Sequence, residues 1–327
     1  MVLIFIHEFG HFIVAKLMKI KVNEFAIGFG PSIFKKQGKE TLYTIRALPF
    51  GGYCAMEGED EESDDENAFC NKKAWRRFLV IIAGAVFNLI FGLIIVFFML
   101  LPNDRFASTT VSSFRENAVS QSSGLRVNDK IYKVDGRCIY TTYDLSYAFT
   151  GIKEDSVKMV VIRDGQKVDL GDVQFATNEE EGIKYVSLDF SVYGIKNNIG
   201  NLLVETGKTT LSYARIVWFS LVDLISGKYG ISQMSGPVGV VQAVSQAAKI
   251  SFESLLYLIA LITINLGIFN LLPVPALDGS RALITLSEIV TRRKLPTKVE
   301  AIIHGVGFAV LIGFMVLIAI KDIFALF

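Results

Sequence analysis

Four stretches of the sequence are apolar enough to predict helices that cross a membrane. A spanning helix needs about 20 predominantly apolar residues. The clearest stretch, residues 78–101, carries no charged residue, and Asn88 is its only polar side chain. Two further stretches cover residues 255–272 and 301–320. The pattern predicts an α-helical integral membrane protein with about four transmembrane helices.

The first apolar stretch is shorter than the others and contains His7, Glu8 and His11. A cleaved signal peptide is the alternative interpretation, but no basic segment precedes the stretch and no small-residue cleavage site follows it. We therefore expect residues 1–20 to form a first membrane helix. Its short length indicates either that the true start lies a few residues upstream or that the helix is tilted or half-buried.

Basic residues beside the predicted spans indicate their orientation, because Lys and Arg near a span resist translocation. One cluster follows the first span, one precedes the second and one lies between the third and fourth. They comprise Lys16, Lys19, Lys21, Lys72, Lys73, Arg76, Arg77, Arg292, Arg293 and Lys294. All three clusters mark the cytoplasm, so residues 103–254 and both termini are expected outside it.

The predicted cytoplasmic loop, residues 21–77, has two parts. Residues 22–53 mix β-branched and aromatic residues with Gly and Pro, as small β-hairpins do. Within them, residues 25–30 and 41–48 are expected to offer a sheet edge near the membrane. Residues 57–66 read EGEDEESDDE and are interpreted as a flexible, solvated linker. Metal capture or repulsion of anionic headgroups is the less favoured interpretation.

The segment that follows the second span is large enough to fold separately. Residues 122–136 read SSGLRVNDKIYKVDG, and an Asp-Gly turn joins two alternating runs within residues 157–170. This order resembles a circularly permuted bacterial PDZ domain. The resemblance implies an extracytoplasmic α+β domain over residues 104–190 that binds peptides at a sheet edge or acts only as a steric plug. Residues 191–254 would be an amphipathic connecting region.

Composition narrows the possible functions. Hydrophobic residues make up 51% of the 327 residues, which is too apolar for an ordinary water-soluble domain of this size. With 33 Lys and Arg against 32 Asp and Glu, the net charge of +1 gives no general attraction to nucleic acid. We expect the lipid bilayer, and no nucleic acid, as a partner. The three cysteines form no CxxC pair and predict no thiolate metal site.

His7, Glu8 and His11 form an H-E-x-x-H sequence, which is a strong signal for catalytic zinc. On a helix, positions i and i+4 share one face, so both imidazoles can reach one Zn²⁺. Glu8 can then act as general base towards a water molecule. Ionisable groups inside an apolar span are costly unless they are paired or bind a metal.

A catalytic zinc site needs a third protein ligand and an open position. Residues 270–279 read NLLPVPALDG, and their two prolines prevent the third span from continuing as a helix. Irregular backbone at membrane depth is tolerated only where protein buries it or where it lines a watery cavity. Asp278 and His11 both lie near the predicted cytoplasmic ends of their spans, so we expect Asp278 to be the third ligand.

Together, HEFGH, the GFGP and PFGGY segments, the PDZ-like insertion and NLLPVPALDG resemble the site-2 protease family of intramembrane zinc metalloproteases, specifically the bacterial RseP/RasP type with one PDZ domain. The resemblance implies that His7, His11 and Asp278 bind zinc. Glu8 would be the catalytic base, and Asn270 would bind the oxyanion or the substrate backbone. The implied activity is hydrolysis of peptide bonds within transmembrane segments, as in anti-sigma factors or remnant signal peptides, at the bacterial cytoplasmic membrane.

Two alternatives remain open. A membrane peptidase of another H-E-x-x-H type would take a distant Glu as third ligand, but would leave the proline-broken segment unexplained. A catalytically silent scaffold would use its PDZ domain to bind partners, but would gain nothing from keeping the buried ionisable set. The lone His304, in the fourth predicted span, is interpreted as a polar packing residue.

Overall fold

A computed structural model describes residues 1–180, 182–228 and 236–324 of the chain. The chain divides into two compact units, Met1–Gly92 with Met234–Phe327, and Leu93–Gln233. In chain order the elements are α1 (Val2–Leu17), β1 (Val22–Gln37), β2 (Leu42–Met56), α2 (Ala74–Leu100), β3 (Arg105–Phe114), α3 (Val119–Ser122), β4 (Lys130–Val134), β5 (Arg137–Cys138), α4 (Thr142–Ala148), β6 (Ser156–Arg163), β7 (Gln166–Gln174), β8 (Thr177–Glu180), β9 (Ile183–Val186), β10 (Phe190–Lys196), α5 (Ile199–Ile225), α6 (Pro237–Ile250), α7 (Phe252–Asn270), α8 (Asp278–Thr291) and α9 (Thr297–Phe324).

Among the described residues, three helices are long and apolar enough to cross a membrane: α2, α7 and residues Val299–Asp322 of α9. They coincide with the second, third and fourth predicted spans. α2 begins at Ala74, four residues before the predicted start. The prediction began later because the first turn of α2 carries the charged Arg76 and Arg77, which a hydropathy pattern excludes from a span. α1 has 16 residues and occupies the first predicted span.

The proline-containing loop between α7 and α8 positions Asp278. α7 ends at Asn270, and Pro273 and Pro275 cannot extend its hydrogen-bond ladder. Ala276 adopts a φ of +77°, which is unusual for a residue with a side chain. Its backbone N–H donates to Nδ1 of His304 over 3.2 Å, so α9 holds the loop that leads into α8.

β1 and β2 form the predicted hairpin, but both strands bend and the sheet has four segments. Residues 24–27 pair on one side with residues 42–45 and on the other with residues 52–55. The other side of residues 42–45 pairs with residues 34–37. The prediction that residues 25–30 and 41–48 offer the free edge is therefore wrong for the residues paired on both sides. Among the described pairings, residues 52–56 are paired on one side only.

The hairpin packs against the helices of the first unit through one apolar core. This core joins α1, the hairpin, α2 and α8, so their geometry is fixed together. Its buried members are Ala15, Ile20, Val22, Phe25, Cys54, Phe69, Val80, Ile81 and Ala282.

The acidic segment, residues 57–66, makes long-range ion pairs that its composition did not indicate. Lys21 Nζ donates to Asp65 over 2.8 Å, and Arg281 Nη1 donates to Glu59 over 2.6 Å. Both cations come from other parts of the chain, so local charge density could not reveal them. Long-range ion pairs therefore connect this segment to the residue before β1 and to α8 of the same unit.

The second unit contains a sheet with strand order β10-β3-β4-β6-β7 and a core that includes Val111, Leu125 and Ile131. Asp164 and Gly165, at φ values of +52° and +79°, make the predicted turn between β6 and β7. The sheet continues beyond residue 190 through β10, and the 27-residue α5 follows within the predicted amphipathic connecting region, residues 191–254.

α5 packs on α4 within the second unit through buried polar groups. Asp144 caps α4 together with Thr141. The Asp144 carboxylate also accepts from Ser212 Oγ over 2.6 Å and from Arg215 over 3.2 Å. These partners satisfy a buried carboxylate that would otherwise be costly, and they make α5 part of this folded unit.

Candidate metal centre

α1 presents His7 and His11 on the same face, one helical turn apart. Both residues are buried, with 9% and 8% of their surface exposed. Their Nε2 atoms lie 3.2 Å apart. The predicted i, i+4 arrangement of the two imidazoles is present.

Asp278, the first residue of α8, completes a triangle with the two histidines. Its Oδ2 atom lies 3.1 Å from His7 Nε2 and 3.3 Å from His11 Nε2. The sequence places this carboxylate 267 residues after His11, yet the structure brings all three predicted ligand atoms together.

The triangle fits a zinc ion. Tetrahedral zinc with bonds of about 2.0–2.1 Å places its ligand atoms roughly 3.3–3.4 Å apart. The three observed separations, 3.1, 3.2 and 3.3 Å, lie close to this value. Asp278 Oδ2 is buried and makes no hydrogen bond to another described residue. Two imidazoles and one carboxylate are also a common donor set of catalytic zinc.

α2 fixes the orientation of His11. The imidazole Nδ1 donates to the backbone carbonyl of Val80 over 2.8 Å. A proton on Nδ1 leaves the lone pair of Nε2 free to face Asp278 and His7, which is the tautomer that binds a metal through Nε2.

His7 Nδ1 faces two amide side chains. Asn88 Nδ2 lies 3.2 Å away and Asn270 Nδ2 lies 3.5 Å away. The sequence had indicated Asn270, so the structure brings it to the site as expected. No role was predicted for Asn88, although a single amide in an otherwise apolar span was a signal that could have pointed to it.

Gly84 of α2 leaves room for the imidazoles. A Cβ atom at this position would lie 2.3 Å from His11 Nε2 and 2.7 Å from His7 Cε1. A Cβ on Gly10 of α1 would likewise lie 2.7 Å from the carbonyl oxygen of Ala83. The two helices therefore approach closely at glycines, which the sequence did not single out because glycine is frequent in membrane helices.

Glu8 lies beside this triangle in a cavity of about 340 Å³. The residues that line this cavity include Tyr53 and Cys54, on the part of β2 that is paired on one side only, and Arg281 of α8. A cavity that holds a carboxylate, the triangle and an unpaired strand edge can bring an extended peptide next to a general base.

Comparison with known proteins identifies the family. The model of Peptidase family M50 matches residues 1–314. The chain belongs to this family, the site-2 proteases. A Clostridium perfringens protein named "Putative zinc metalloprotease" is 38% identical over 98% of this chain and 95% of its own length. A Clostridium acetobutylicum protein of the same name is 35% identical over 98% of this chain and 94% of its own length.

A further relative, the zinc metalloprotease RasP of Bacillus licheniformis, is 27% identical over 99% of this chain and 97% of its own length. These matches confirm the predicted site-2 protease family. This M50 peptidase is a multi-pass membrane protein and a zinc metalloendopeptidase.

Proposed function

We propose that this M50 peptidase hydrolyses peptide bonds within the transmembrane segments of membrane proteins, with His7, His11 and Asp278 as its zinc ligands. The observation that carries this proposal is the buried triangle of His7 Nε2, His11 Nε2 and Asp278 Oδ2, with sides of 3.1–3.3 Å. Two helices that contribute residues around this triangle, α2 and α7, are apolar enough to span a membrane, which supports a substrate that also lies there.

Zinc bound in this triangle would polarise the scissile carbonyl and activate water. Glu8, which shares the cavity with the three ligands, takes the proton of the attacking water. It then passes this proton to the nitrogen of the leaving amine. The reaction breaks the C–N bond and leaves a carboxylate and an amine as products.

Asn270 binds the substrate in this proposal. Its side chain lies at the end of α7, next to His7 and to the irregular loop that leads to Asp278. An amide N–H in this position can donate to the developing oxyanion or to an extended substrate backbone.

The substrate must unwind before it is cut, because every backbone carbonyl of a membrane helix is engaged within the helix. Residues 52–56 of β2 are paired on one side only, and most of them line the catalytic cavity. An unwound substrate would add to this edge as a further strand, and its backbone groups would exchange their helical partners for those of β2.

The second unit would regulate access in this proposal. Its antiparallel sheet, its Asp-Gly turn and its motif over residues 122–136 support the PDZ assignment. The basic clusters beside the spans support a cytoplasmic position of the zinc site and an extracytoplasmic position of this unit, with α1 as a fourth membrane helix. The unit would exclude substrates with bulky outer domains, so that cleavage follows an earlier trimming step, as in regulated intramembrane proteolysis.

The test compares zinc content and cleavage in the detergent-purified protein. The parent is expected to hold about one zinc per chain and to cut a membrane-embedded reporter peptide. Asp278→Ala should lose zinc and activity, whereas Glu8→Gln should keep zinc and lose activity. Asp172→Ala, an exposed carboxylate of β7, is the control and should change neither. Cleavage that survives in Glu8→Gln would overturn the mechanism, and stoichiometric zinc without cleavage would favour the scaffold.

A further inference from the structure

Asn88 is a fully buried amide in the middle of an apolar helix, with 0% of its surface exposed. The stretch over residues 78–101 contains no other polar side chain. A buried amide is costly unless it gains hydrogen bonds, so its position calls for a specific partner. Its one described partner is the imidazole of His7.

The contact between Asn88 and His7 joins the amide to the ring nitrogen that points away from the metal triangle. Asn88 Nδ2 lies 3.2 Å from His7 Nδ1, while Asn88 Oδ1 is buried with no hydrogen-bond partner among the described residues. The oxygen and nitrogen of an amide are told apart only by their hydrogen bonds. A half-turn of this amide places Oδ1 opposite Nδ1, where it accepts the Nδ1 proton.

α2 contacts the Nδ1 atom of both histidines in a similar way. Val80, Gly84 and Asn88 follow each other at four-residue intervals, so they lie along one face of α2. Val80 accepts from His11 Nδ1, Gly84 leaves space for both rings and Asn88 meets His7 Nδ1. This face therefore holds the outer nitrogen of each imidazole while both Nε2 atoms point to Asp278.

We propose that Asn88 is a positioning residue that accepts the Nδ1 proton of His7, fixes the tautomer of this ring and aims Nε2 at the metal. The inference rests on the proposed zinc site. It follows from a general rule of such sites, in which a histidine ligand donates its second N–H to an outer partner that orients it. His11 has such a partner in Val80, and Asn88 is the corresponding partner of His7.

Asn270 is the competing candidate for this role. It lies at 3.5 Å from His7 Nδ1, against 3.2 Å for Asn88, and it is less buried than Asn88. An amide that also binds substrate cannot hold the ring throughout the reaction. The structure therefore assigns the permanent contact to Asn88, and Asn270→Leu separates the two roles.

The experiment measures the zinc dissociation constant by competition with a chelator. Asn88→Leu keeps the side-chain shape and removes the acceptor, while Asn88→Asp keeps an acceptor. Zinc binding is expected to weaken about 10–100-fold in Asn88→Leu and to stay near the parent value in Asn88→Asp. Asn265→Leu is the matched control, because Asn265 is an amide of α7 whose buried oxygen has no hydrogen-bond partner among the described residues, and this variant should bind zinc as the parent does. Asn270→Leu should impair cleavage far more than zinc binding.

Parent-like zinc affinity in Asn88→Leu, with an unchanged absorption spectrum of the cobalt-substituted protein, would overturn the inference. If this variant does not fold, nitrogen-15 labelling of the histidines in the zinc-loaded parent decides instead, since the chain has only three histidines to assign. A proton on His7 Nδ1 that exchanges slowly with solvent supports the role of Asn88, and an unprotonated Nδ1 contradicts it. A parent that binds no zinc refutes the proposed function itself, which keeps the two failures distinct.

Discussion

Arg281 Nη1 donates to Glu59 Oε1 over 2.6 Å and links the helix that begins at Asp278 to the acidic segment. The other terminal nitrogen of Arg281 donates to Asp60 over 2.7 Å. Arg281 lies one turn after Asp278 on α8, and Glu59 and Arg281 both line the cavity that also holds Glu8. Glu59 and Asp60 of the acidic segment therefore form part of the cavity wall, and both pair with the guanidinium group of Arg281.

We expect removal of these two carboxylates to open the cavity. Cys54 reports the opening, because it lines the same cavity with 8% of its surface exposed and burial raises the pKa of its thiol. In a background with Cys70→Ser and Cys138→Ser, the pair Glu59→Gln and Asp60→Asn should make labelling of Cys54 by a water-soluble maleimide at least several-fold faster. The matched control, Glu61→Gln with Glu62→Gln, neutralises two neighbouring carboxylates outside the described ion pairs and should label as the parent does.

Faster labelling in the control as well would mean that net charge, rather than the Arg281 pairs, holds the segment in place. Equal rates in all three proteins would show that the segment does not limit access to Cys54.

Gly84→Ala is expected to reduce zinc binding at least tenfold. The added Cβ would lie 2.3 Å from His11 Nε2, so the imidazoles or α2 must move by about 1 Å, and a catalytic site tolerates displacements of only about 0.5 Å. The dissociation constant for zinc measures the effect. Gly92→Ala is the control on the same helix, since its Cβ would crowd Ile264 and leave the histidines untouched.

Gly92→Ala should lower thermal stability without loss of zinc affinity. If both glycine variants lose zinc equally, helix packing in general, and not the space at Gly84, controls the site.

The sequence predicted the parts of the site that short motifs encode. His7, Glu8 and His11 are adjacent on one helix, and the two prolines before Asp278 mark a break whose position is local information. Asn88 and Gly84 were not predicted to act, because their importance arises only when α2 packs against α1. A residue that serves through a distant contact leaves no periodic signal in the chain.

The acidic segment and α5 show the same limit in the fold. Residues 57–66 are ordered by cations at positions 21 and 281, which lie far away in sequence. α5 mixes polar and apolar residues over 27 positions, and its buried polar face meets α4. The sequence predicted a linker in one case and an amphipathic connecting region in the other, but it could not predict the tertiary partners of either segment.

Asp223 is expected to make the stability of the second unit depend on pH. Burial raises the pKa of this carboxyl, but hydrogen bonds from Arg137 and Tyr147 outweigh it and hold the pKa below the ordinary 3.8. Because the pKa is lower in the folded state, the ionised carboxylate stabilises the fold at pH values above the ordinary pKa. This contribution is lost as the pH falls through the pKa of the folded state. Asp223→Asn should cost roughly 1–3 kcal/mol at pH 7, and this cost should shrink below about pH 4.

The measurement is urea unfolding of the full chain, followed by the fluorescence of Trp218 in α5. Only two tryptophans are present, so Trp75→Phe leaves Trp218 as the single reporter. Asp169→Asn, in the exposed part of β7, is the control and should leave the free energy of unfolding unchanged at pH 7 and at pH 3. A difference between parent and Asp223→Asn that stays constant from pH 7 to pH 3 contradicts the assignment.

Removal of zinc is expected to destabilise the first unit in particular. The proposed ligands come from α1 and α8, and the His11 imidazole is also held by α2, so a bound ion would tie these helices together. A ligand at 100 times its dissociation constant stabilises the folded state by about 2.7 kcal/mol. A strong chelator should therefore lower Tm of the detergent-solubilised parent by several degrees and speed amide exchange in α1 and α8. β6 and β7 belong to the other unit and serve as the internal control. Asp278→Ala should show the lower Tm from the start and no further change with chelator. A chelator effect of the same size in Asp278→Ala would place the stabilising ion at a site that does not include this carboxylate.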